Sequence, residues 1–353
     1  MGTLKSVGFK AVGMVLHRLG ILGFISRLVD RLQKKTGSNA PLPFPLIQKR
    51  VSRPIQILMY HGIDDAWSPF LGPAPIRGFR NQLRYLAESC NVLDLGEAVE
   101  RIQKRDVPHR AVVITLDDGY RDSYVNAFPL LREMELSATI FLATAAIGTG
   151  KVLWHDRACW MISQTTVSSL EGFGSRIRYE LNTREGKRAA QEGVLWYLRS
   201  LEDQDRIDAL EQLSTHLQVS GEPDSEPRLM LNWEEVNEMY QSGIRFGAHT
   251  VHHPILSKIP LSDVASELRE SKETIERHVG CRVTTFAYPS GRPEDYNSDI
   301  KGIVKQEGFA CAVSTVTGAN YEGDDLFDLK RVGYWDQDIG PFGLRFEYSR
   351  FCA

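Results

Sequence analysis

Two short segments, far apart in the chain, carry residue types that could share one metal ion. Thr115-Leu116-Asp117-Asp118-Gly119 closes one apolar run, and His249-Thr250-Val251-His252-His253 closes another. One carboxylate with two imidazoles at the spacing of His249 and His253 makes a three-ligand set for a borderline metal, with a position left open for water. The other carboxylate of the Asp117-Asp118 pair is then free to act as a base. This arrangement points to metal-assisted hydrolysis. Asp-Asp-Gly after a strand can also be a turn with a helix N-cap, but the partnership with His249 and His253 favours the metal. His252, lying between them, is expected to face solvent or core.

For these residues to meet, regular elements must carry them. From Pro54 onward, strand-like apolar runs (56–60, 111–116, 138–143, 244–247, 284–288, 310–314 and 331–334) alternate with amphipathic segments (79–89, 122–135, 233–242, 263–279 and 296–307). Such alternation implies a parallel sheet, open or closed into a barrel. Asn232 with Glu235 makes a capping box, and Gly243, Gly280 and Gly308 stand where helices need a left-handed terminating residue. Each polar candidate follows a strand: His61 after Ile57–Tyr60, Asp117 and Asp118 after Val112–Leu116, His249 after Arg245–Gly247, Ser290 after Phe286–Tyr288. The loops at that edge of a parallel barrel converge on one cleft.

The alternation breaks at residues 151–230, which hold Trp154, His155 and Trp160, a helix-like stretch from Gly186 to Gln218, and an acidic Pro/Gly/Ser linker, Ser220–Pro227. This mainly helical insertion leaves the C-terminal end of a strand and is expected to overhang the catalytic face. The chain then divides into a basic N-terminal segment (1–50), a first barrel part (51–150), the insertion (151–230) and a second barrel part (231–353).

The chain has 353 residues and a net charge of -3, which argues against nucleic acid as a partner. Its 5 cysteines are scattered and read as reduced thiols. Residues 5–35 are different: seven Lys or Arg accompany Asp30 alone, on an apolar helical stripe too interrupted to span a bilayer. That pattern suggests an amphipathic helix on an anionic membrane surface or packed on the barrel. No secretory signal fits, so the expected location is cytoplasmic, peripheral to the inner membrane face.

Thr115–Gly119, His249–His253 and Phe286-Ala287-Tyr288-Pro289-Ser290-Gly291 resemble the first three motifs of the polysaccharide deacetylases, the NodB-homology group of carbohydrate esterase family 4. Ile57–His61 is similar to the group as well. The resemblance covers about residues 54–150 and 228–335. It implies a distorted (β/α) barrel of about seven parallel strands, here with the helical insertion and the N-terminal amphipathic helix added. It further implies a divalent metal, usually Zn2+, on Asp118, His249 and His253, with Asp117 as general base and the backbone N–H of Ser290 at the oxyanion. The substrate class would be an N-acetylated saccharide, hydrolysed at a linear amide. Tyr288, Trp154 and His155 are candidate substrate contacts.

Two positions depart from that pattern. The third motif usually carries an arginine where this chain has Ala287, and Leu329–Val332 lacks the histidine that usually serves as general acid. Position along the chain suggests that His61 supplies the acid and Arg331 replaces the arginine beside Asp117. The same departures leave open a saccharide-binding protein that keeps the metal without turnover.

Overall fold

The structure, a computed structural model, describes residues 53–65, 73–221, 228–333 and 338–351. The expected N-terminal helix and most of the linker lie outside them. In chain order the elements are β1 (Ile55–Tyr60), α1 (Ile76–Ser89), β2 (Asn91–Leu93), α2 (Leu95–Gln103), β3 (Ala111–Leu116), a π-helical turn (Ser123–Ala127) continuing into α3 (Phe128–Glu133), and β4 (Thr139–Leu142). The insertion contributes α4 (Trp154–Gln164), β5 (Ser169–Leu170), β6 (Tyr179–Glu180), α5 (Arg184–Ser200) and α6 (Asp203–Leu217). The second half adds α7 (Trp233–Gln241), β7 (Arg245–Ala248), α8 (Leu261–Val279), β8 (Thr285–Ala287), α9 (Ser298–Gln306), β9 (Cys311–Val313), β10 (Val332–Gly333) and α10 (Ile339–Phe351).

The main sheet runs β10-β1-β3-β4-β7-β8-β9, every pair parallel, with β2 added beside β3. It curls into a distorted barrel. Side-chain alternation separates two layers. Ile55, Ile57, Ala111, Val113, Phe141, Ala287, Cys311 and Val313 join one apolar cluster inside the curl, which Leu95, Ala98, Val99 and Ile102 of α2 complete. Leu58, Tyr60, Val112, Ile114, Leu116, Ile140, Leu142, Phe246, Phe286 and Tyr288 face the surrounding helices. Burying one such side chain is worth about 2 kcal/mol, so this two-sided burial fixes the register of every strand.

The ends of the sheet are joined by one extended segment. The N–H of Leu329 donates to Ala312 and the N–H of Ser314 to the Leu329 carbonyl, so the segment first pairs with β9. Three residues later, Val332 pairs with Leu58 of β1. Arg331 therefore sits at the seam where the curl closes.

Helix ends follow the local chemistry read from the sequence. Asn232 and Glu235 form the reciprocal capping box of α7, and Gly243, Gly280 and Gly308 all have positive φ. The insertion has its own core, built from Ile162, Leu170, Tyr179, Val194, Leu198, Leu210 and Leu213 among others. It is pinned to the barrel loops by Arg199 on Asp295 and by Lys258 on Glu202.

Candidate metal centre

The layer alternation decides which residues after each strand can look inward. Counting on from Val113 in β3, Thr115 and Asp117 share its parity; from Ile57 in β1, so does His61. On β7, with Phe246 and Ala248 facing the helices, Gly247 and His249 face in. Asp118 has the wrong parity, and the chain turns it by a left-handed backbone, φ 74°. Thr250, His253 and Ser290 take the same conformation at φ 65°, 58° and 60°. L-residues pay about 1 kcal/mol or more for it, and its concentration in these loops marks where geometry outranks stability.

The result is a buried cluster. Asp118 Oδ1 lies 3.3 Å from His249 Nε2 and 3.3 Å from His253 Nε2, and the three donor atoms lie within 4.8 Å of one another. His249 Nδ1 lies 2.7 Å from the carbonyl of Ala287, an acceptor that places the proton on Nδ1 and leaves Nε2 as a lone-pair donor. Asp118 Oδ1 is buried without a hydrogen-bond partner, a costly state for a charged oxygen. A cation held by one carboxylate and two imidazoles resolves it, so the residues fit a divalent metal.

The electrostatics agree. Burial opposes ionisation of Asp118, yet His249 and His253 hold its carboxyl well below the usual range. Burial lowers the pKa of His253, favouring the neutral ring that a metal requires. On His249 burial acts in the same sense, but Asp118 and Asp117 outweigh it and raise the pKa.

Asp117 stands beside the cluster and belongs to a different network. The guanidinium of Arg331 donates from Nη1 and Nη2 to its two oxygens, each at 2.7 Å. Arg331 is completely buried; it also donates from Nε to the Ser314 carbonyl at 2.8 Å and from Nη1 to Thr115 Oγ1 at 3.2 Å. Inward-facing Ala287 is too small to make these contacts. Burial pushes the Asp117 carboxyl up, but Arg331 more than offsets this and the net direction is down. On its other side, His61 Nε2 lies 3.8 Å from Asp117 Oδ2, with a side chain 39% exposed. Asp117 is thus a charged carboxylate locked from within and touched by a solvent-reaching imidazole.

Ser290 sits in the loop after β8, and its carbonyl accepts from Thr315 Oγ1. The next residue, Gly291, has φ 61°, and a Cβ there would meet Thr315 N and Tyr288 O at 3.0 Å. Tyr288 is a correction to the expected substrate contacts. Alternation turns it outward, where it stacks on Tyr296 at 4.1 Å between ring centres and donates to the Phe327 carbonyl; it is 1% exposed. Trp154 and His155 do come to the site, but from its protein side. Trp154 Nε1 donates to the His253 carbonyl at 3.1 Å, and buried His155 Nε2 lies 3.9 Å from Asp118 Oδ2. His252 faces out, its Nδ1 2.7 Å from Glu267 Oε1.

Three further residues, Tyr120, Asp156 and Asp122, surround the site. The Tyr120 hydroxyl is 3.1 Å from His155 Nε2 and from both oxygens of Asp156. Burial, then the charge of Asp118, push the Asp156 carboxyl well up, and burial pushes His155 down to about 3. Asp122 Oδ2 accepts the backbone N–H of Ile63, two residues after His61, and burial raises its carboxyl to about 7. Only adjacency to Asp117-Asp118-Gly119 and to His155 hinted at them.

The family profile described as Polysaccharide deacetylase matches residues 104–312, more than half of the chain. YxkH of Bacillus subtilis (strain 168), provisionally named a polysaccharide deacetylase, is 22% identical over 280 residues, covering 79% of this chain and 70% of that protein. The poly-beta-1,6-N-acetyl-D-glucosamine N-deacetylase of Staphylococcus epidermidis is 38% identical over 72 residues, 20% of this chain and 25% of that one. The structure of Streptococcus pyogenes deacetylase PplD in complex with acetate shares the fold, with TM-score 0.57 at 20% identity over 83% of this chain and 97% of that one. The chain belongs to the polysaccharide deacetylase family, and its buried Asp-His-His cluster is the metal site of a metal-dependent deacetylase.

Proposed function

We propose that this deacetylase removes N-acetyl groups from an amino-sugar glycan or lipid-linked saccharide, with Zn2+ on Asp118, His249 and His253. The observation that carries the reading is the division of labour between two adjacent aspartates. Asp118 faces two imidazoles, while Asp117 is held apart by Arg331. When bound, the metal supplies a Lewis acid that polarises the amide carbonyl and makes a water acidic enough to attack near neutral pH. Asp117 accepts that water's proton, and Arg331 keeps it aimed and ionised. In this reading the N–H of Ser290 donates to the developing oxyanion, a contribution of about 3 kcal/mol. His61, within reach of Asp117 and open to solvent, delivers a proton to the departing amine.

The choice of an N-acetylglucosamine oligomer as substrate draws on the named activity of the Staphylococcus epidermidis relative. Peripheral attachment of residues 5–35 to an anionic membrane belongs to the same proposal. It rests on their basic amphipathic pattern and suits work on a lipid-linked saccharide at the cytoplasmic face. Among the described residues no helix is long and apolar enough to cross a membrane.

The test measures bound metal and acetate released from β-1,6-linked N-acetylglucosamine oligomers. Wild type should show both. Asp118→Asn should lose the metal, whereas Asp117→Asn should keep it and turn over about 10³-fold more slowly. His61→Ala should lower kcat by about 10²-fold with the metal retained. Stoichiometric metal with no acetate from any N-acetylated saccharide would leave a saccharide-binding protein instead.

A further inference from the structure

We infer that the first turn of α4, Trp154-His155-Asp156, positions the metal ligands, so that the insertion sets the affinity of the site as well as overhanging it. Three consecutive residues reach the cluster or the loop that carries it. Trp154 Nε1 donates to the carbonyl of His253, one of the residues held at positive φ. The His155 ring packs edge-on against the His253 ring, 5.1 Å between centres, and its Nε2 is 3.9 Å from Asp118 Oδ2. Asp156 meets the hydroxyl of Tyr120, two residues beyond Asp118 in the same loop.

His155 and Asp156 are buried, and Trp154 is braced from behind. The guanidinium of Arg206 lies 4.9 Å from the centre of the Trp154 ring and is paired with Asp203 at the start of α6. A second helix of the insertion, α6, therefore braces the tryptophan of α4. Without its indole N–H, the His253 carbonyl loses that partner, and one restraint on the strained backbone is gone. Outer partners of metal ligands of this kind are worth about 10–100-fold in metal affinity.

The inference rests on the metal site assigned above but not on deacetylation, so it is tested on the full chain without substrate. Zn2+ is titrated in competition with a chromogenic chelator, and the Co2+-substituted protein is examined by visible absorption. Trp154→Phe and His155→Gln should each bind Zn2+ at least tenfold more weakly and shift the Co2+ bands. Saturating metal should restore kcat in Trp154→Phe to within a few-fold of wild type. Leu210→Ala weakens the insertion core without touching the cluster, and its Zn2+ affinity should be unchanged. Wild-type affinity in both variants would overturn the inference, as would an equal loss in Leu210→Ala. Should Trp154→Phe fail to fold by circular dichroism, His155→Gln alone decides. Tight Zn2+ binding by a wild type that releases no acetate would sink the deacetylase reading and leave this one standing.

Discussion

A carboxylate that must stay charged inside a protein needs a counter-charge, and Asp117 receives one from a residue more distant in sequence than any metal ligand. Removing Arg331 leaves that charge buried alone, which costs about 3–5 kcal/mol. Arg331→Ala should therefore unfold at clearly lower urea. Arg331→Lys, which keeps the charge but not the two-pronged grip, should recover much of the stability while kcat stays at least tenfold low at unchanged KM. Asp118, His249 and His253 were legible in the sequence because two short motifs follow strand ends and the His249–His253 spacing suits one ion. Arg331 was legible only as a position near a bordering strand; its contact with Asp117 is made where the last strand closes the curl. Tyr120, His155 and Asp156 meet through packing of the insertion, which no local pattern encodes. Tyr288 was misread because a tyrosine beside a motif looks accessible until strand alternation turns it away.

Elements set these positions through parity, and β7 shows how little slack they have. Gly247 precedes His249 by one inward step. A Cβ there would come within 2.5 Å of the Phe141 ring and of Thr285 Oγ1, closer than real contacts permit. Gly247→Ala should lower stability by about 2 kcal/mol and weaken Zn2+ binding through displacement of β7, measured by urea unfolding and chelator competition. The seven strands expected from apolar runs all appear, with ends that match or differ by one or two residues. The elements passed over include β2, α2, α10 and, in the insertion, α4, β5 and β6. β2 has only 3 residues, too few to display a period, and α2 is a 9-residue helix whose apolar face is used to fill the interior of the curl. The expected helix over 122–135 opens as a π turn leading to Pro129 near the start of α3, a change in pitch that leaves its amphipathic pattern intact.

Across the whole molecule, stability carries an electrostatic debt at Asp122. Its carboxyl moves from an ordinary 3.8 to about 7, chiefly through burial, on the order of 4 kcal/mol. Between those values the folded chain keeps a proton that the unfolded chain releases. The contribution of this group to stability therefore falls as pH rises from about 4 to about 7 and is level above that. Compared with wild type, Asp122→Asn should gain ground over that window by a few kcal/mol. Urea unfolding at pH 5 and pH 8 measures it, and parallel pH dependence of the two proteins would rule the assignment out.

The seam at residues 329–333 has a consequence for the order of events during synthesis. All three metal-binding side chains leave the ribosome well ahead of Arg331, so a nascent chain can present its complete ion-binding set while the curl is still open. Asp117 gains its buried counter-charge only when the final strand arrives. The order of residues along the chain thus puts the ion-binding set ahead of the counter-charge that Asp117 meets at the seam.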